Sequence, residues 1–156
     1  MKRELSAECN GSHGVTIRSA TAGDAESMAL LCGQLGYPAS EEQIRTRLAQ
    51  ILLDEDHAVH IAQTPDGCLI GWVHVYIPEL LLVHRRAEIG GLVVDEGHRR
   101  RGIGRALMAW AEQWARAQGC KALHLRSNVL RREAHLFYDG IGYRKLTTQR
   151  TYQKAV

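Results

Sequence analysis

Apolar positions recur along the chain with two different periods, and the switches between them lay out an order of elements. Val15–Ala20 alternates apolar and polar residues, as a half-buried strand does. Thr21, with Asp24 three residues on, then opens a helix whose apolar face is Ala25, Met28, Ala29, Leu31, Cys32 and Leu35 and whose end is Gly36. Ser40 with Gln43 makes a capping-box pattern for a second helix through Leu53, with Ile44, Leu48, Ile51 and Leu52 inward. Ala58–Gln63 and Cys68–Ile77 read as strands joined by Thr64-Pro65-Asp66-Gly67, where proline and glycine stand in turn positions, so a hairpin is expected.

Pro78–Arg86 connects this hairpin to the next strand. Its run Leu80-Leu81-Leu82-Val83 is unusually apolar for a connection. Continuation of a strand into the core is the leading expectation, because apolar runs are mostly buried. An acceptor-pocket lining, or a contact that would make a homodimer, is left open. Glu88–Val94 is a short apolar strand interrupted by Gly90 and Gly91, a pattern that points to a bulge or a close backbone approach. A helix from about Gly102 to Gly119 carries Ile103, Leu107, Trp110 and Trp114 on one stripe. Lys121–Arg126 then alternates as a strand, Arg131–Asp139 is a short helix, and Tyr143–Gln153 offers two final strand-like pieces.

At 156 residues and 45% hydrophobic content, residues 15–156 make one domain, and Met1–Gly14 is expected to be a flexible tail. A net charge of +3 is too small to argue for nucleic acid. No apolar run reaches the ~18 residues of a membrane span. Cys9, Cys32, Cys68 and Cys120 are scattered without a CxxC pair, which reads as reduced thiols and a cytoplasmic protein. His57 and His60 fall on opposite faces of a strand and have no closed ligand set, so no metal is expected.

The charge at the start of the Gly102 helix is the feature that speaks of chemistry. Arg99, Arg100, Arg101 and Arg105 crowd a helix N-terminus, where the macrodipole is already positive and acidic residues would stabilise. The arrangement makes sense with an anion there: helix N–H groups point at it, Gly102 and Gly104 flank Ile103 without side chains of their own, and the arginines add bidentate contacts. A Rossmann fingerprint is excluded because Leu107 stands where its third small residue belongs, and a P-loop because Gly-Lys-Ser/Thr is absent.

Arg99-x-x-Gly102-x-Gly104, preceded by Leu92-Val93-Val94, resembles the acyl-coenzyme A motif of the GNAT superfamily of N-acyltransferases, and the element order resembles that fold over about Val15–Gln153. The resemblance implies an α/β (α+β) fold: a mixed, mostly antiparallel central sheet flanked by helices in the order β-α-α-β-β-β-α-β-α-β, with splayed central strands. It implies acetyl-coenzyme A as co-substrate, without a metal, and a primary amine as acceptor, attacked directly in a ternary complex. By the same resemblance Arg99–Arg105 cradle the diphosphate, and backbone N–H of Leu92, Val93 and Val94 place the thioester. Asn128 meets the pantetheine arm. Tyr138, in Ala134-x-x-Phe137-Tyr138-x-x-x-Gly142-Tyr143, protonates the leaving thiolate, and Glu88 stands at the spacing of a glutamate base.

A base role would require partial burial and a raised pKa, and a salt bridge with Arg85 or Arg86 is the alternative for Glu88. A phenol that ionises near pH ~10 is a proton donor at neutral pH. The competing reading of the whole chain is a non-catalytic acyl-coenzyme A sensor or subunit; retention of Tyr138 and Glu88 argues for the enzyme. The acceptor stays unidentified.

Overall fold

A computed structural model describes residues 14–156; the expected tail, Met1–Gly14, lies outside the described residues except for Gly14. The described chain forms two units, one running to Leu125 and one from Arg126 to Val156.

The first unit is a five-stranded sheet in sequence order, β1 (Thr16–Ser19), β2 (His57–Gln63), β3 (Leu69–Tyr76), β4 (Ala87–Val94) and β5 (Leu123–Leu125). Its pairings are antiparallel except the last, β4 with β5, which is parallel. Helices α1 (Ala25–Leu35) and α2 (Glu41–Ile51) bury Met28, Leu31 and Leu48 with Val59, Ile61, Trp72 and Val93 of the sheet. Helix α3 (Ile103–Ala117) packs Ile103, Leu107, Ala111 and Ala115 with Ala62, Ile70, Val73 and Val75. Strand β3 alternates its residues between these two clusters, so it is buried on both faces, and this explains why its sequence is almost continuously apolar.

Local chemistry sets the ends of these elements. Ser40 Oγ accepts from Gln43 N–H and Gln43 Oε1 from Ser40 N–H, the expected reciprocal cap of α2. Gly36 ends α1 at φ 93°, a left-handed position that glycine takes without steric cost. The Thr21–Asp24 signal produces a 3-10 turn, Ala22–Asp24, before α1 begins. Arg18 forks onto the Asp24 carboxylate at 2.8 and 2.9 Å, which ties that turn to β1.

Three expectations need correction. Leu80–Leu82 do not continue a strand into the core: Leu81 and Leu82 are fully exposed, because Pro78 stands two residues past the end of β3 and charged residues close the segment at Glu79 and at Arg85 and Arg86. The final strand pieces within Tyr143–Gln153 are absent, since after Tyr143 only Leu146 and Tyr152 are large and apolar in that stretch, and both are exposed, so no apolar face exists to bury. Cys68 is disulfide-bonded, against the expectation of reduced thiols, whereas Cys32 and Cys120 are free and buried.

The second unit holds α4 (Arg132–Gly140), entered through a turn at Asn128 and followed by an irregular segment to Val156. Among the described residues no helix is long and apolar enough to cross a membrane.

Candidate active site

The anticipated irregularity in the central strand is a bulge at Gly90. His74 of β3 pairs with Gly91 and Val75 with Ile89, so Gly90 is the extra residue. Two rings account for the glycine pair. A Cβ at Gly90 would fall 2.7 Å from His74 Nδ1, and one at Gly91 2.7 Å from the Trp72 ring.

Beyond the bulge the direction of each amide follows from one bond. Asp95 N–H donates to Ile70 C=O at 2.8 Å. Alternation in an antiparallel ladder makes Val93 and Gly91 aim their N–H the same way, toward β3, so Leu92 and Val94 aim theirs toward the β5 side. On that side the ladder runs only from Ala87↔Leu123 to Ile89↔Leu125, and Leu92 and Val94 lie past its end. These are the amides that can meet a carbonyl oxygen.

The strand then runs into the basic turn. Arg99 Nε donates to Val94 C=O at 3.1 Å, folding the first arginine back on the strand end. Arg100 sits at φ 61°, a left-handed conformation that is uncommon outside glycine, and Gly102 caps α3 at φ 80°. Open space surrounds the place where a Gly102 Cβ would stand, and the first turn of α3 contains no acidic residue. Helix-start N–H groups without intrahelical acceptors, a side-chain-free approach and exposed Arg99, Arg100, Arg101 and Arg105 together suit a diphosphate.

Beneath this turn lies a buried polar tether. Asp95 Oδ2 lies 2.7 Å from His98 Nδ1 and accepts from Gly97 N–H, while its Oδ1 accepts from Gln34 Nε2 of α1 at 2.8 Å. Gln34 Oε1 in turn accepts from Glu96 N–H at 3.0 Å. Burial opposes ionisation of Asp95, but the hydrogen bonds from Gln34 and His98 outweigh it and hold the carboxyl below its ordinary range.

On the face covered by α1 and α2, a second buried group surrounds Glu88, which is only 4% exposed. Its Oε1 accepts from Arg86 Nη2 at 2.9 Å and its Oε2 from the Tyr76 hydroxyl at 3.1 Å. The salt bridge weighed from the sequence therefore exists, with Arg86. Beside it His57 stacks on the rings of His74 and Tyr76, which are tilted to each other, and His57 Nδ1 lies 2.9 Å from His74 Nε2. Burial, and then the neighbouring His57, lower the His74 pKa to about 4. His57 and His60 do fall on opposite faces, since His60 stacks on Trp110 of α3.

In the second unit, Tyr138 of α4 contacts the Phe137 and Tyr143 rings edge-on, and burial raises its pKa against an opposing effect of Arg131. Asn128 Oδ1 accepts from Leu130 N–H at 2.9 Å, and Asn128 C=O accepts from Arg131 N–H. The side-chain oxygen of Asn128 is thus engaged in the turn that opens α4.

Sequence reasoning missed Gln34, Asp95, His98 and Tyr76. The Asx-type spacing of Asp95 and Gly97 was a usable signal for the turn. Nothing local marked Gln34, 61 residues away from Asp95.

The chain matches the Acetyltransferase (GNAT) family over residues 26–143. It is 34% identical over 132 residues to an aminoalkylphosphonate N-acetyltransferase of Salmonella typhimurium, spanning 83% of this chain and 84% of the relative. It is 32% identical over 133 residues to an aminoglycoside N(6')-acetyltransferase type 1 of Stenotrophomonas maltophilia, spanning 82% and 85%. A solved aminoglycoside N-acetyltransferase in complex with coenzyme A shares the fold with a TM-score of 0.80 at 20% identity, over 91% of this chain and 95% of that one. The protein belongs to the GNAT family of acetyltransferases. It is an N-acetyltransferase that uses acetyl-coenzyme A.

Proposed function

We propose that this N-acetyltransferase transfers the acetyl group of acetyl-coenzyme A to a small primary amine by direct attack in a ternary complex. The observation that carries the proposal is the course of β4: a bulge at Gly90, two amides aimed past the end of the β5 ladder, and then the basic start of α3. Arg99, Arg100, Arg101 and Arg105, with the α3 N-terminus at Gly102, Ile103 and Gly104, hold the diphosphate. Asn128 serves the pantetheine arm. The amides around Val93, those of Leu92 and Val94 above all, receive the thioester oxygen as it gains charge in the transition state.

On the acceptor side Glu88 draws in the ammonium, which must lose its proton before the amine attacks. Tyr138 supplies a proton to the departing thiolate. A small acceptor is supported by the relatives, whose names specify an aminoalkylphosphonate and an aminoglycoside. The test is free-thiol release from acetyl-coenzyme A with a panel of aminoalkylphosphonates, aminoglycosides, amino acids and a lysine-rich peptide. Turnover confined to the small amines is expected; turnover on the peptide alone would overturn the acceptor class.

A further inference from the structure

We propose that His74, backed by His57, is the proton exit of the acceptor side: the acceptor ammonium's proton enters at His74 Nδ1 and leaves through His57. This deepens the acetyl-transfer reading and rests on it, giving Glu88 the part of attracting the ammonium and His74 that of removing the proton.

Geometry on one face of the sheet makes the case. His74 and Tyr76 project from the same side of β3, and Tyr76 is registered opposite Glu88. His74 Nδ1 stands over Gly90, the exposed residue of the bulge, where a Cβ would fall 2.7 Å from it. Its other nitrogen, Nε2, lies 2.9 Å from His57 Nδ1. The far nitrogen of His57, Nε2, lies 3.8 Å from Asp54 Oδ2, and the His57 side chain keeps 27% of its surface exposed. One hydrogen bond, His74 to His57, and one longer approach, His57 to Asp54, thus lead from the bulge toward solvent. Glu88 is less free to take the proton for itself, because each of its oxygens already accepts a hydrogen bond.

The transfer balances as a tautomer shift. With both rings neutral and protonated on Nε2, His74 donates to His57 and leaves its Nδ1 lone pair toward the bulge. The ammonium gives its proton to His74 Nδ1, the His74 Nε2 proton passes to His57 Nδ1, and the His57 Nε2 proton departs to Asp54 or water. One proton enters and one leaves, the nitrogen lone pair is freed for attack, and no lasting charge rests on the half-buried His74 ring. The pair resets once the product has left: His74 Nδ1 gives its proton to water entering the site, His57 Nδ1 returns its proton to His74 Nε2, and His57 Nε2 takes one from solvent.

The test compares wild type with His74→Phe and His57→Phe, which keep a ring in each stack. Thiol release is followed with a turned-over amine at saturating acetyl-coenzyme A from pH 6 to 10. The groups that face the pair, Asp54, Tyr76, Glu88 and Arg86, are unchanged in both variants. An alkylamine with a pKa of ~10.4 is almost wholly protonated at pH 7. His74→Phe is therefore expected to lose roughly tenfold to a hundredfold in kcat at pH 7, within the usual range of an acid–base group, and to approach wild type near pH 10. His57→Phe should show the same trend with a smaller loss, and acetyl-coenzyme A affinity by calorimetry should stay within twofold. A loss of equal size at every pH, or no loss, overturns the relay alone. A wild type that binds acetyl-coenzyme A yet acetylates no amine overturns the acetyl-transfer reading and the relay with it.

Discussion

Replacing Gly102 by aspartate separates what the cradle needs for folding from what it needs for binding. Gly102 sits at φ 80°, and an ordinary side chain in this region costs about 1–2 kcal/mol. Aspartate tolerates the conformation better than most residues. Among the described residues nothing lies within 4 Å of its Cβ position, so no clash adds to that strain. A carboxylate at a helix N-terminus is itself favourable by about 0.3–1 kcal/mol, so the net change in stability should be no more than about 1 kcal/mol. Binding should respond quite differently. A carboxylate ~5 Å from a diphosphate charge repels it by about 3 kcal/mol at an effective dielectric of ~20. That corresponds to roughly a hundredfold weaker affinity.

The assay is a calorimetric titration with acetyl-coenzyme A at low and at high salt, beside a thermal melt of each protein. Gly102→Ala serves as the control, since it carries the strain without the charge. Affinity for Gly102→Asp within twofold of wild type would refute the placement of the diphosphate at this helix start. A defect that ignored salt would refute the electrostatic part, because part of the repulsion should be screened.

Two further predictions concern the acid and the tether. Tyr138→Phe should lower kcat by roughly a hundredfold on a true acceptor while acetyl-coenzyme A affinity is nearly kept, and unchanged turnover would remove Tyr138 from the mechanism. Gln34→Ala should destabilise the protein by about 1–3 kcal/mol, since buried Asp95 loses a donor, and should weaken acetyl-coenzyme A binding through the loosened turn; chemical denaturation and calorimetry report the two effects. The pH dependence follows from Asp95, whose folded pKa is depressed below that of the unfolded chain. Its stabilisation is present above the unfolded value of ~3.9 and is lost as pH falls through the folded one, so Gln34→Ala should shift acid unfolding to higher pH. An unshifted acid midpoint would show that Gln34 does not sustain the carboxylate.

Much of the fold was legible because it rests on short-range rules. The helices follow from their apolar faces and caps, as the Ser40–Gln43 pair shows. The β2–β3 turn closes with Gly67 N–H on Thr64 C=O at φ 91°, as its composition required. The glycine pair of β4 announced an irregularity, and the arginines stand where the sequence put them, at a helix start without acidic residues. Each of these signals lies within a few residues of the feature that it specifies, where propensity and electrostatics act without help from the rest of the chain.

Other features depended on which strands meet and in what register. Glu88 meets Tyr76, and His57 meets His74, only because β2, β3 and β4 pair with irregularities at Ala62/Gln63 and at Gly90. A slip of one residue would turn each of these side chains to the opposite face, so counting along the sequence cannot place them. The same holds for Leu80–Leu82, whose apolar run implied burial although the fold leaves it exposed, and for Asp95, held from α1 across 61 residues. By itself the sequence determined most of the elements, the basic helix start and the donor that such a start suits, all through local periodicity and charge. Tertiary structure alone decided how the face that carries Glu88, Tyr76, His57 and His74 is furnished, because side chains distant in sequence become neighbours only when strand register and bulges have been set.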